Sequence, residues 1–173
     1  EIRITMNSTF HQLITLLDKH QARYRLIEHA PEGKCAAVAQ LRGTHPKQGA
    51  KALVCHVKGN GIKQYVLAVL PADCQADLSK VASAVGGTRA SLASPIEVEK
   101  LTGCVFGAIP PFSFHPELKL IVDPLLFARF DEIAFNAGRL DCSIILNRDD
   151  YRSLAGAMLA TFRREDDNSL RQA

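Results

Sequence analysis

Ala50-Lys51-Ala52-Leu53-Val54-Cys55-His56-Val57-Lys58-Gly59-Asn60-Gly61-Ile62-Lys63-Gln64-Tyr65-Val66-Leu67-Ala68-Val69-Leu70 reads as two strands folded back on each other. Asn60-Gly61 is the hinge, because both central residues of a tight hairpin turn must accept positive φ and these two do so readily. The outgoing strand is placed at 51–57 and the returning strand at 62–70. One residue does not suit this pattern. Lys51 puts a long cation at the head of an apolar strand. Further along, Gly103-Cys104-Val105-Phe106-Gly107-Ala108-Ile109-Pro110-Pro111-Phe112 forms a loop bounded by glycine and proline. A cation opposite a stiff loop with open backbone N–H groups suits a polar or anionic substrate. The competing reading makes Lys51 a solvated strand end, as most lysines are.

Outward from the hairpin, helices and strands alternate irregularly. Ser8 or Thr9 caps a helix through about 21, with Phe10, Leu13, Ile14 and Leu17 at helical spacing. A short strand follows at 24–28, then an alanine-rich helix at 35–42 that stops at Gly43. A helix at 77–85 ends at Gly86-Gly87. Ser94-Pro95-Ile96-Glu97 is a complete start signal: a serine cap, proline at the first helical position, and glutamate closing a capping box. A strand is expected at 118–122, and Asp123-Pro124 opens a short helix or turn over 125–130. A second hairpin is expected from 133–135 to 143–146, turning at Asn136-Ala137-Gly138. Asp149 is expected to cap a last helix with Tyr151, Leu154, Ala155, Met158 and Phe162 on one face. Strands that arrive partly as hairpins and partly after helices predict an α+β fold with a mixed sheet.

The chain has 173 residues, 47% of them apolar, enough for one domain with a proper core. That domain is placed at 6–165; residues 1–5 precede Met6 and are set aside as a vector remnant or internal cut, and 166–173 are expected to fray. No apolar run reaches the ~18 residues a membrane span needs. The five cysteines form no C-x-x-C pair and are odd in number. They read as free thiols in a reducing cytoplasm rather than as a disulfide or zinc framework. The net charge of +3 permits contact with nucleic acid without announcing it. Lys47, Lys51, Lys58 and Lys63, grouped around the first hairpin, are the candidates for such contact.

No conventional nucleophile is visible. The six histidines show no metal-ligand spacing, and there is neither a G-x-S-x-G elbow nor a phosphate-binding P-loop. Cys104 with His115 is the one thiol pair that can be drawn, and nothing nearby in sequence lowers the thiol pKa. An enzyme built from this chain must therefore work by positioning and electrostatics.

Three stretches carry a resemblance: G-A-K-A-L-V at 49–54, G-A-I-P-P-F at 107–112, and F-N-A-G at 135–138 with Asp141 and an apolar strand after it. In order and spacing they resemble the YbaK/ProX-type family, free-standing relatives of the editing domain of bacterial prolyl-tRNA synthetase, and the YeaK-like branch above all. The resemblance spans 10–162. It implies a single compact domain, a mixed and partly barrel-like sheet wrapped by helices. It implies hydrolysis, in trans, of the ester joining a wrong small amino acid (serine, threonine or alanine) to tRNA, with no metal or cofactor. The implied partners are the acceptor end of mischarged tRNA and an aminoacyl-tRNA synthetase, with no role for DNA or membrane. Lys51 and Gly107 are the implied catalytic residues. Ala108, Ile109, Pro110, Pro111, Phe112 and Asp141 are the implied substrate-binding residues. Many members carry two glycines where this chain has Gly107-Ala108, and threonine or asparagine where it has Ala52. Those departures bear on which amino acid is accepted. The alternative is a non-catalytic binding module for a nucleotide or aminoacyl group, associated with a synthetase.

Overall fold

The computed structural model describes residues 8–165; the expectations for 1–5 and 166–173 fall outside the described residues. Strands β2 (Ala50–Gly59) and β3 (Ile62–Pro71) pair in register from Ala50 with Pro71 to Gly59 with Ile62. Asn60 and Gly61 both take positive φ, 54° and 77°, as the turn requires. The two faces of this hairpin bury in different cores. Val54, Leu67 and Val69 pack with Leu13, Leu17, Val98, Phe112 and Tyr151. Cys55, Val57, Val66, Ala68 and Leu70 pack with Val81, Ala82, Ile121 and Phe162. Burial on both faces explains the unbroken apolar run on the returning strand.

The other elements assemble around it. Helix α1 (Thr9–Lys19) is capped by the Ser8 side chain and buries Leu13 and Leu17. Strand β1 (Tyr24–Glu28) leads to α2 (Cys35–Arg42), which ends at Gly43 with φ 69°. Helix α3 (Leu78–Ala84) is capped by Asp77, and α4 (Pro95–Thr102) has the Ser94–Glu97 capping box. Between them lies β4 (Arg89–Leu92), which the sequence reading missed because four residues with only Ala90 and Leu92 apolar are too short a stretch for alternation to stand out. Strand β5 (Leu118–Val122) joins the large sheet beside β3 in parallel. The large sheet runs β4-β2-β3-β5-β8, where β8 is Met158–Leu159. The small sheet runs β1-β7-β6, with β6 Glu132–Arg139 and β7 Cys142–Asn147. An isolated parallel bridge from Gly49 to Ala134 ties the head of β2 to β6. The sheets meet there without closing into a barrel.

Two expectations are corrected. Asn136-Ala137-Gly138 is not a turn but lies inside β6, where the register slips between Asn136 and Arg139. Ala137 is fully buried, and Gly138 N–H donates to Ala108 O at 2.8 Å. The chain turns later, at 140–141. The glycine-rich composition of a turn here serves a bulge instead. The last helix, α5 (Arg148–Ala155), is capped by Asn147 rather than Asp149 and ends at Gly156, φ 59°. Met158 therefore lies in β8, and Phe162 fills the second core. Asp123 does cap a short 3-10 turn, Pro124–Phe127, by accepting from Leu125 N–H.

Candidate active site

A cavity of about 220 Å³ opens where the head of β2, helix α2, strand β6 and the Gly107 loop converge. Its polar lining is Lys51, Arg42, Asn136 and Cys35. Its apolar lining includes Ala52, Leu53, Val38, Phe106 and Ile109. Lys51 and Gly107, far apart in sequence, thus share one cavity. Among the described residues, no Asp, Glu, His or Ser lines it.

The loop is held from several sides. Val105 O accepts from Ala108 N–H at 3.1 Å and closes a turn in which Gly107 has φ 83°, the positive φ that a type II turn demands at its third residue. A Cβ on Gly107 would sit 2.9 Å from Gly33 Cα. This position therefore needs glycine for fit as well as for conformation. Asn136 Nδ2 donates to Gly107 O at 2.7 Å and to Glu32 O at 3.0 Å. Tyr151 Oη donates to Pro111 O at 2.7 Å, and Phe112 packs edge-on against the Tyr151 ring.

Behind the loop lies a buried polar network. Arg42, only 8% exposed, donates from Nε to Ser143 Oγ at 2.7 Å and from Nη2 to Asn136 Oδ1 at 2.9 Å. Ser143 Oγ lies 3.0 Å from Asn136 Oδ1, and His29 Nε2 lies 2.7 Å from the same hydroxyl. Arg42 thus meets neutral acceptors, and no carboxylate is within ion-pair distance of it or of Lys51 among the described residues. Burial pulls the Arg42 guanidinium down to about 10, which leaves it charged at neutral pH. Two cations without an ion-pair partner among the described residues give the cavity a positive lining.

The implied site residues divide. Lys51, Gly107 and Ile109 line the cavity. Ala108, Pro110, Pro111 and Phe112 are buried behind it and carry the loop. The Ala108 N–H closes the turn, so it is not an open donor; among the described residues Gly107 N–H has no such bond. Asp141 sits at the β6–β7 turn, outside the cavity lining, paired with Arg139 at 2.9 Å. Cys104 is buried, donates to Thr102 O, and burial pushes its thiol up; the thiol in the cavity is Cys35. Sequence reasoning missed Arg42, Asn136, Ser143 and Cys35. Arg42 looks like an ordinary basic residue in a last helical turn, and the network joins positions 29, 42, 107, 136 and 143. No group of three or more His, Cys, Asp or Glu residues that could hold a metal occurs among the described residues.

The profile of the aminoacyl-tRNA editing domain matches residues 29–154, and that stretch contains the whole cavity. The chain belongs to the aminoacyl-tRNA editing domain family. It is 64% identical over 156 residues to the multifunctional Ser/Thr-tRNA deacylase ProXp-y of Escherichia coli (strain K12), covering 90% of this chain and 93% of that one. A proline–tRNA ligase of Geobacillus thermodenitrificans (strain NG80-2) is 32% identical over 94 residues, covering 54% of this chain and 16% of the ligase. Among solved structures, hypothetical protein APE2540 superposes with TM-score 0.78 at 22% identity, covering 88% of this chain and 99% of that one. A candidate trans-editing enzyme for prolyl tRNA synthetase gives TM-score 0.74, also at 22% identity, over 92% of this chain and 99% of that one. These two likenesses bear on the fold, which is that of a single editing domain with mixed sheets and, among the described residues, five α-helices.

Proposed function

We infer that this protein is a trans-editing aminoacyl-tRNA deacylase: it hydrolyses the ester of tRNA mischarged with a small amino acid, serine, threonine or alanine. One observation carries the reading. On an editing-domain fold, a cavity of about 220 Å³ combines Lys51 and Arg42 with the Gly107 loop and, among the described residues, has no carboxylate or histidine in its lining. A small cavity suits the second sieve that a synthetase needs for residues smaller than its own substrate.

The chemistry asks little of the side chains. An aminoacyl ester is already activated. Water adds to its carbonyl, a tetrahedral oxyanion forms, and the bond to the ribose oxygen breaks as that oxygen takes a proton. The neighbouring ribose hydroxyl orients the water. Gly107 N–H is the oxyanion donor, and one such donor is worth about 3 kcal/mol when well placed. Lys51 holds the terminal phosphate or ribose. Phe106, 54% exposed at the cavity mouth, offers a face on which the terminal adenine stacks. Asn136 keeps the loop in place through Gly107 O. Asp141 is the weakest of the proposed substrate contacts, since it already pairs with Arg139. The setting is the cytoplasm, where charged tRNA and synthetases meet; no helix among the described residues is long and apolar enough to cross a membrane.

The test is a panel of tRNAs charged with serine, threonine, alanine and larger residues, followed for release of free amino acid. Fast release of the small residues and slow release of the large ones is expected. Binding of every member without release identifies a binding module and refutes the enzyme.

A further inference from the structure

Far from the cavity, the hairpin carries a row of three cations. Lys58 lies directly opposite Lys63 on β3 and directly opposite Arg89 on β4. Directly opposed residues share a face, so all three side chains project from the same side of the sheet. Lys63 and Arg89 are exposed and Lys58 is half-buried. Like charges placed directly opposite each other destabilise a sheet, and here the repulsion occurs twice in one row. No acid relieves it: among the described residues none of the three takes part in an ion pair. The next row inward is His56, Tyr65 and Ser91. Its nearest acid, Glu97, is engaged by Tyr65 Oη and by the α4 cap. Glu117, whose backbone O accepts from Gln64 Nε2 at 3.0 Å, flanks the row at its Lys63 end but forms no ion pair with it among the described residues. The sequence grouped Lys58 and Lys63 with Lys51. Seven strand residues separate Lys58 from Lys51, which is ~23 Å at ~3.3 Å per residue, and that odd step turns the two side chains to opposite faces of β2, so a strand that touches both passes over the sheet edge formed by β4, where Arg89 stands.

We propose that the Lys63–Lys58–Arg89 row is a second nucleic-acid contact, a phosphate clamp for the paired acceptor stem of the tRNA whose 3′ end enters the cavity. The proposal rests on the function proposed above for its choice of partner. The chemistry of the row points to a polyanion: a line of long flexible cations, two of them exposed, with no ion-pair partner among the described residues. The span also fits. Stacked nucleotides advance ~3.4 Å along a strand, so ~23 Å covers about seven of them. That reaches past the unpaired end of a tRNA and into its first base pairs. The row supplies affinity without reading sequence.

The experiment compares wild type with the triple variant Lys58→Glu, Lys63→Glu, Arg89→Glu on two substrates. One is full-length seryl-tRNA and the other is serine esterified to a short CCA-ended oligonucleotide. On full-length tRNA, kcat/KM should fall at least tenfold at low salt, and its salt dependence should become shallower by up to about three in log–log slope. On the short substrate the variant should match wild type. Equal losses on both substrates, or an unchanged salt slope, overturn the clamp. An unchanged kcat/KM on full-length tRNA also overturns it and points to an acidic protein as the occupant. Binding of uncharged tRNA, measured on the same two proteins across salt, decides the clamp even if wild type hydrolyses neither substrate, a result that would instead refute the proposed activity. The neutral variant Lys58→Gln, Lys63→Gln, Arg89→Gln should melt no lower than wild type, because it removes the cross-strand repulsion. A lower melting point for it would show the row to be structural.

Discussion

Asp123 and Arg42 are both buried charges, and they are satisfied in opposite ways. Asp123 is fully buried and surrounded by donors: Leu125, Phe162 and Arg163 N–H groups and the Arg163 guanidinium. Its charge is neutralised within the fold. Arg42 is nearly as buried, yet its partners are a hydroxyl and an amide oxygen, so its positive charge persists toward the cavity. A closed ion pair fixes chain segments; here Asp123 ties the end of β5 to the segment after β8. An open one leaves a field for a ligand. The difference separates a structural site from a working one where burial alone does not.

The sharpest way to break this comparison is to remove each half. Asp123→Ala leaves the Arg163 guanidinium and three backbone N–H groups without their acceptor. Breaking a buried pair costs about 3–5 kcal/mol, so a large drop in the denaturation midpoint is expected, with normal turnover per folded molecule. Reduced turnover in the folded fraction would place Asp123 in the working site.

Asn136→Leu comes next. It removes the acceptor of Arg42 Nη2 and the donor to Gly107 O together. Leaving such groups unsatisfied costs about 1–3 kcal/mol. Unlike Asp123→Ala, it should also lower single-turnover deacylation, because the loop loses its tether. Stability lost with the rate unchanged would show that the network only holds the fold.

The smallest effect is expected at Tyr151. Tyr151→Phe deletes one hydrogen bond to Pro111 O, worth about 1 kcal/mol. Burial raises the phenol in the folded protein. Its contribution is therefore intact below the unfolded tyrosine value of ~10 and is lost as pH rises above it. Tyr24, raised to about 12 chiefly by burial, acts in the same direction. Wild type should lose stability above pH ~10, and Tyr151→Phe should flatten part of that slope in urea melts at stepped pH. An unaltered slope would remove Tyr151 from the account.

What the sequence could tell was set by locality. The Asn60-Gly61 hairpin, the Ser94–Glu97 box and the Gly43 stop each depend on neighbouring residues, and each stands where it was expected. The cavity was half legible. Lys51 stood out because it contradicts its strand, and Gly107 because it begins a proline-stiffened loop. Asn136 was misread because Asn-Ala-Gly has turn chemistry, while its role comes from partners on α2, β7 and the loop. Gly107 is itself a poor place to probe catalysis by substitution: its φ of 83° and the 2.9 Å approach to Gly33 make any side chain there a folding defect too.

The central claim is that an unpaired Lys51 and the Gly107 loop form the hydrolytic site. Lys51 is only half-buried and has no ion pair among the described residues, so its removal should not disturb the fold. The direct measurement is single-turnover hydrolysis of seryl-tRNA by Lys51→Ala, beside its melting curve. The account predicts an unshifted melt and, at protein concentrations below saturation, a rate lowered on the order of 10- to 100-fold, as for the loss of one charged contact to the substrate. Wild-type hydrolysis by a fully folded Lys51→Ala protein would contradict it.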